Sequence, residues 1–184
     1  MQSVRVEQAH LDWALAKAKR EPKYKNSHRG ADAAMVGFIG EAIFADYLTS
    51  SGVEFVVDNK TTHDLTLIGN GRLEIKTKDR TVEPQPHFDC SLPAYNHDHQ
   101  NASYFGFVSL QRSPGVDGWE RYHTAHIVGA ANQEMIQVFG VRWEAGQTDP
   151  ANGTKFWTAC INITIENLMP IEDAVVVWRS RQIR

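Results

Sequence analysis

The sequence predicts a mixed α/β (α+β) domain built on a central mixed sheet, an antiparallel meander flanked by helices. Three observations carry the prediction. Apolar residues recur at helical spacing up to Leu48, strand-like alternation takes over after Gly52, and a helical pattern returns at "GAANQEMIQVFG".

Val6 to Arg20 reads as a first helix, with Val6, Ala9, Trp13, Leu15 and Ala16 as its apolar set, ended by Pro22 and Asn26. Ala31 to Leu48 reads as a second, with a wide stripe of Met35, Val36, Phe38, Ile39, Ile43, Phe44 and Leu48 that stops at Ser50, Ser51 and Gly52. Inside it, Gly37 and Gly40 each cost about 1 kcal/mol of helix propensity relative to Ala, which points to close backbone packing near Glu41. "VEFVV", "DLTLI" and "RLEIKT" follow as strands, the last two joined across Gly69, Asn70 and Gly71. Residues 79–101 show no period and read as a long surface loop or irregular crossover. Strands resume at "SYFGFVSL" and "RYHTAHIV", then come the short helix, the turn "DPANGT" and a strand at "KFWTACINIT". "IEDAVVVW" fits either a helix or a strand.

At 184 residues, 42% hydrophobic and 22% charged, the chain suits one soluble domain with a substantial core. Its expected parts are an N-terminal helix and basic segment (1–30), a core (31–128) and C-terminal decoration (129–184). There is no apolar run of membrane-spanning length, and "MQSVRVEQAH" lacks a signal-peptide core, so the expected compartment is the cytoplasm, with no membrane partner. Cys90 and Cys160 are too few for a disulfide framework and read as thiols. A net charge of −3 does not announce a nucleic-acid binder, but local charge says more. Lys17, Lys19, Arg20, Lys23, Lys25 and Arg29, with His28, face only Glu21, and such a segment either neutralises phosphates or forms a solvated helix end.

The hairpin around residue 70 carries the chemistry. Leu65, Leu67, Leu73 and Ile75 occupy odd positions; Asp64, Thr66, Arg72, Glu74 and Lys76 occupy even ones. A two-residue Asn70-Gly71 turn pairs odd with even positions and puts Asp64 and Glu74 on opposite faces. A three-residue loop, Gly69 to Gly71, pairs Ile68 with Arg72, Thr66 with Glu74 and Asp64 with Lys76, and gathers the apolar residues on one buried face. Hydrophobicity selects this second register. Asp64, Glu74 and Lys76 then converge, either as a surface ion-pair ladder or as hard oxygen donors for Mg²⁺ or Mn²⁺.

Glu41 in a helix, then Asp64, then Glu74-Ile75-Lys76 on the next strand resemble the PD-(D/E)xK, or restriction-endonuclease-like, nuclease superfamily, of a kind found in phages. The order of elements over residues 31–128 resembles that fold's core: a helix, a three-stranded antiparallel meander, a helix and a further strand. Gly37 and Glu41 look like the G-xxx-E helix of its recombination-type members, and Gln100 with Tyr104 like their Q-xxx-Y element, although Tyr104 here begins a strand. His63 stands where the family name has proline. The resemblance implies Mg²⁺- or Mn²⁺-dependent hydrolysis of DNA, cutting within or from the end of a chain, with a homodimer needed for paired cuts on duplex. Asp64, Glu74 and the Ile75 carbonyl would hold one ion, Glu41 a second or the first through water, and Lys76 would orient the attacking water. Lys78 and Arg80, with Lys23, Lys25 and Arg29, are the candidate substrate contacts, and Gln100 a further one. The alternatives are a nuclease fold that binds DNA or protein without cutting, and a structural protein.

The weaker constellations point elsewhere. His87, Cys90, His97 and His99 match no familiar zinc spacing and read as a polar loop at the mouth of the site. His123 and His126 fall on opposite faces of a strand and read as structural, and Tyr104, Phe105 and Phe107 read as sheet core.

Overall fold

The computed structural model describes residues 1–20, 30–60, 62–99 and 102–182; the side chains of 30–33, 59, 60, 96, 98 and 99 are outside the description. Strand β1 (Gln2–Arg5) and helix α1 (Gln8–Arg20) lead into helix α2 (Gly30–Ser50). Then come β2 (Phe55–Lys60), β3 (His63–Leu67) and β4 (Gly71–Arg80), followed by β5 (Asp89–Pro93), α3 (Ala94–His99) and β6 (Tyr104–Arg112). The chain ends with β7 (Tyr122–Asn132), α4 (Gln133–Phe139), β8 (Val141–Trp143), β9 (Cys160–Thr164) and α5 (Ile171–Ser180). The fold is mixed α+β. A six-stranded mixed sheet runs β1-β7-β6-β4-β3-β2, with β4 and β6 parallel and its other pairs antiparallel. A second sheet of three strands runs β5-β9-β8.

Side-chain alternation along β6 and β7 separates two cores. Tyr104, Val108, Leu110, Ala125 and Ile127 pack with α1, α2 and α5, where Ile39, Ile43, Phe44 and Trp178 are fully buried. Phe105, Phe107, Val128 and Ala131 pack on the other face against Cys90, Leu92, Ile136, Ile161 and Ile163. The expected sheet-core role of Tyr104, Phe105 and Phe107 is what the structure shows. Residues 171–178 are helical, with Ile171, Ala174 and Trp178 at helical spacing in the first core.

Several expectations need correction. Residues 79–101 are not one loop: β5 pairs with β9, and α3 follows it directly. Pairing made the strand, since "DCSLP" is too short and mixed to announce itself. "KFWTACINIT" is strand only from Cys160, where β9 finds partners in β5 and β8. The first helix buries His10, Leu11 and Ala14, whereas Trp13 is 36% exposed. Docking on α2 chose a stripe that intrinsic hydrophobicity did not mark.

Candidate functional site

The hairpin places its residues by parity. Leu65, Leu67, Leu73 and Ile75 are all buried, as the chosen register requires. The register itself is displaced: Leu67 opposes Gly71, Thr66 opposes Arg72 and Leu65 opposes Leu73. The loop is therefore residues 68–70, one position earlier than expected, with Gly71 beginning β4 at φ +104°. Ile68, freed from the ladder, is 41% exposed. The expected Ile68–Arg72, Thr66–Glu74 and Asp64–Lys76 pairs do not form. Because the slip is two residues in the pairing sum, every side chain keeps its face.

Beyond Leu65 the ladder ends and a side chain takes over. Asp64 Oδ2 accepts the backbone N–H of Ile75 at 2.7 Å, which clips the end of β3 to β4. Asp64 keeps part of its surface open to solvent while its carboxyl lies deep among protein atoms. Burial, and then the negative charges of Glu41 and Glu74, push this carboxyl well above the usual carboxylate range, against the opposing Ile75 N–H and the Lys17 ammonium. Three carboxylates from α2, β3 and β4 thus sense one another.

Glu41 and Glu74 are 9% and 6% exposed. Lys76 Nζ donates to Glu74 Oε1 at 2.6 Å, and Lys17 Nζ donates to Glu41 Oε2. Lys17 also lies over the Trp13 and Phe38 rings, 5.5 and 5.1 Å from their centroids. The sequence left Lys17 either in a phosphate-neutralising segment or at a solvated helix end; the structure pairs it with Glu41, its side chain only 10% exposed. The signal was the His10, Ala14, Lys17 spacing on one helix face. Lys23, Lys25, Arg29 and Gln100 lie outside the described residues.

Close packing sets the position of Glu41. A Cβ on Gly40 would sit 1.9 Å from Thr77 Oγ1, so α2 and β4 meet at a distance only glycine permits. Gly37 has nothing within 4 Å of a built Cβ. The glycine that matters is the one next to Glu41, not the one four residues before it.

His63, buried at 2% exposure, holds the neighbouring strand. Its Nε2 lies 3.0 Å from both Asp58 Oδ2 and Thr66 Oγ1, tying β2 to β3 across an irregularity between Val57 and Lys60. Lys78 and Arg80 lie farther along β4, on the face of Glu74 and Lys76. Lys78 Nζ donates to the Asp89 carbonyl at 3.1 Å and Ser91 Oγ at 3.4 Å. Arg80 donates to the same carbonyl at 2.7 Å and to Ser109 Oγ at 3.1 Å. Burial, and then the neighbouring Arg80, hold the Lys78 ammonium below its ordinary pKa.

The histidine and cysteine residues after β4 take separate roles. Cys90 is buried, with its thiol pushed up to about 12 by burial, and His97 Nε2 donates to Gln133 Oε1 at 2.9 Å while stacking on Phe105. His126 meets Ser3 and Gln111 in the sheet, consistent with a structural role.

The donor chemistry suits a hard cation. Carboxylates and a backbone carbonyl are the ligands Mg²⁺ and Mn²⁺ take, and the Asp64 carboxyl, raised first by burial and then by Glu41 and Glu74, is one that a cation would help to ionise. Among the described residues, no group of three or more His, Cys, Asp or Glu side chains is arranged to hold a metal ion as it stands. No family model matches the chain, and neither does any curated protein or solved structure. Among the described residues, no helix is long and apolar enough to cross a membrane.

Proposed function

We propose that this protein is a metal-dependent deoxyribonuclease that hydrolyses phosphodiester bonds, with a restriction-endonuclease-like core. The observation that carries this reading is the gathering of Asp64, clipped to the Ile75 N–H, with the buried Glu41 and Glu74, Lys76 being bonded to Glu74 on the same strand; burial, and then those two carboxylates, raise the Asp64 carboxyl. The order α2, antiparallel β2-β3-β4, then α3 and β6 supports it, being the order of that superfamily's core, with β5 of the second sheet inserted between β4 and α3.

Asp64, Glu74 and the Ile75 carbonyl are the residues to hold Mg²⁺ or Mn²⁺, with Glu41 beside them. The bound ion supplies polarisation of the scissile phosphate and a lowered pKa for the attacking water. The Ile75 N–H fixes the Asp64 carboxylate at the junction of β3 and β4. Lys76 stands at Glu74, where its ammonium can orient a water and offset charge developing on the phosphate. Lys17 pairs with Glu41 and offsets its charge.

A second reading has its own observation. Lys17 and Lys76 already neutralise two of the three carboxylates, an arrangement that also suits a nuclease fold that binds without cutting. Glu74→Ala and Lys76→Ala separate the two: a nuclease loses Mg²⁺-dependent cleavage while keeping DNA affinity, and a binding module shows no cleavage to lose.

A further inference from the structure

A second opening lies away from the carboxylates. A cleft of about 790 Å³ lies at the far end of β4, with Lys78 and Arg80 on one side and Lys155 and Trp157 of the loop before β9 on the other. Along β4, Glu74, Lys76, Lys78 and Arg80 share a face. At about 3.3 Å rise per residue, Lys78 stands roughly 7 Å beyond Lys76 and Arg80 roughly 13 Å beyond it. A row of cations therefore runs from the candidate catalytic lysine into the cleft.

Three features specify an occupant. Lys78 and Arg80 donate to carbonyl and hydroxyl oxygens, and among the described residues neither forms a direct ion pair, so their charge is held in place and offset only in part by the nearby Asp89. Asp89, the carboxylate beside them, accepts from Asn162 Nδ2 at 3.2 Å. Trp157 is 81% exposed, and the Lys155 ammonium lies 5.1 Å from its ring centroid. A large aromatic surface left in water beside a cationic channel is the pairing that binds single strands, where the backbone follows the charge and an unstacked base lies on the ring. A duplex keeps its bases stacked inside and offers none to a lone tryptophan.

We infer that this cleft binds a single-stranded segment of nucleic acid leading away from the carboxylate site, with phosphates along Lys78 and Arg80 and a base stacked on Trp157. The assignment of the strand as substrate rests on the nuclease reading; the binding does not. The test is fluorescence anisotropy of a labelled single-stranded DNA of about a dozen nucleotides, and of its duplex, in EDTA at low salt. Wild type is expected to bind the single strand more tightly than the duplex. Trp157→Ala is expected to weaken single-strand binding roughly 5- to 150-fold, with unchanged thermal unfolding, and Trp157→Phe to retain most of the affinity. Equal single-strand affinity in wild type and Trp157→Ala overturns the inference. So does a free mononucleotide that competes as well as the oligonucleotide, which marks a small-molecule pocket. A parallel incubation with Mg²⁺ reads cleavage separately. Trp157-dependent binding without cleavage in any variant sinks the nuclease reading alone, and cleavage with Trp157-independent binding sinks the cleft alone.

Discussion

Gly40 and Gly37 lie in the same helix, and the structure gives alanine opposite consequences at the two. Replacing an interior glycine by alanine gains up to about 1 kcal/mol of helix propensity. At Gly37 a built Cβ meets nothing within 4 Å, so Gly37→Ala should keep that gain. At Gly40 the Cβ would fall 1.9 Å from Thr77 Oγ1 and 2.9 Å from Thr77 Cβ, both on β4. Overpacking a close contact costs about 1–3 kcal/mol, so after the propensity gain Gly40→Ala should lose up to about 2 kcal/mol net. The two variants then differ by the overpacking cost, about 1–3 kcal/mol, or roughly 2–12 °C in Tm for a chain of this size. Thr77→Ala removes the nearest atom and should recover much of the Gly40→Ala loss. Thermal or urea unfolding of the four proteins measures this. Equal shifts of the same sign at both glycines would refute the close approach that positions Glu41.

Further predictions concern charge. Lys17→Met leaves Glu41 buried without its ammonium and should cost about 3–5 kcal/mol in metal-free urea unfolding; Mg²⁺ should raise the Tm of this variant more than that of wild type. Asp64 titrates higher in the folded protein than its unfolded value of about 3.9, so the folded state holds a proton that the unfolded state releases between those two values. Stability contributed by this group therefore falls as pH rises through that window. Asp64→Asn removes the effect: it should be more stable than wild type at pH 7 without metal, with the gap closing toward pH 4, and a less stable Asp64→Asn at pH 7 contradicts a carboxyl raised by burial and by its two acidic neighbours. His126 is shifted the other way, chiefly by burial, so its contribution to stability should be lost as pH falls through its ordinary value of about 6.5. His126→Gln should flatten the stability curve between pH 7 and 5.

The parts of the fold legible in the sequence were those written in local pattern. The long apolar run of α2, buried almost all round from Met35 to Phe44, and the odd-position leucines and isoleucine of the hairpin are written in the local sequence without help from distant residues. Parity survived even though the loop slipped by one position, because burial of Leu65 and Leu73 constrains the face and not the turn. What was not legible depends on partners remote in sequence. β5 exists because β9 pairs with it, α1 turns its His10–Ala14–Lys17 side inward because α2 is there, and the Gly40–Thr77 contact joins residues that nothing in the sequence links. Lys17 illustrates the same point in the site: six basic residues looked alike until one was placed on Glu41.

The central claim is that Glu41, Asp64 and Glu74 form a catalytic metal site served by Lys76. Its most direct test is incubation of the purified protein with circular and linear DNA in Mg²⁺ or Mn²⁺, beside Glu74→Gln and Lys76→Met. Cleavage by wild type that EDTA abolishes, with each variant slowed by about 10²-fold or more while still binding DNA, is the predicted result. Cleavage of the circle further excludes a need for ends. Intact circular, linear and single-stranded DNA with both ions, or variants that cut as fast as wild type, would contradict it.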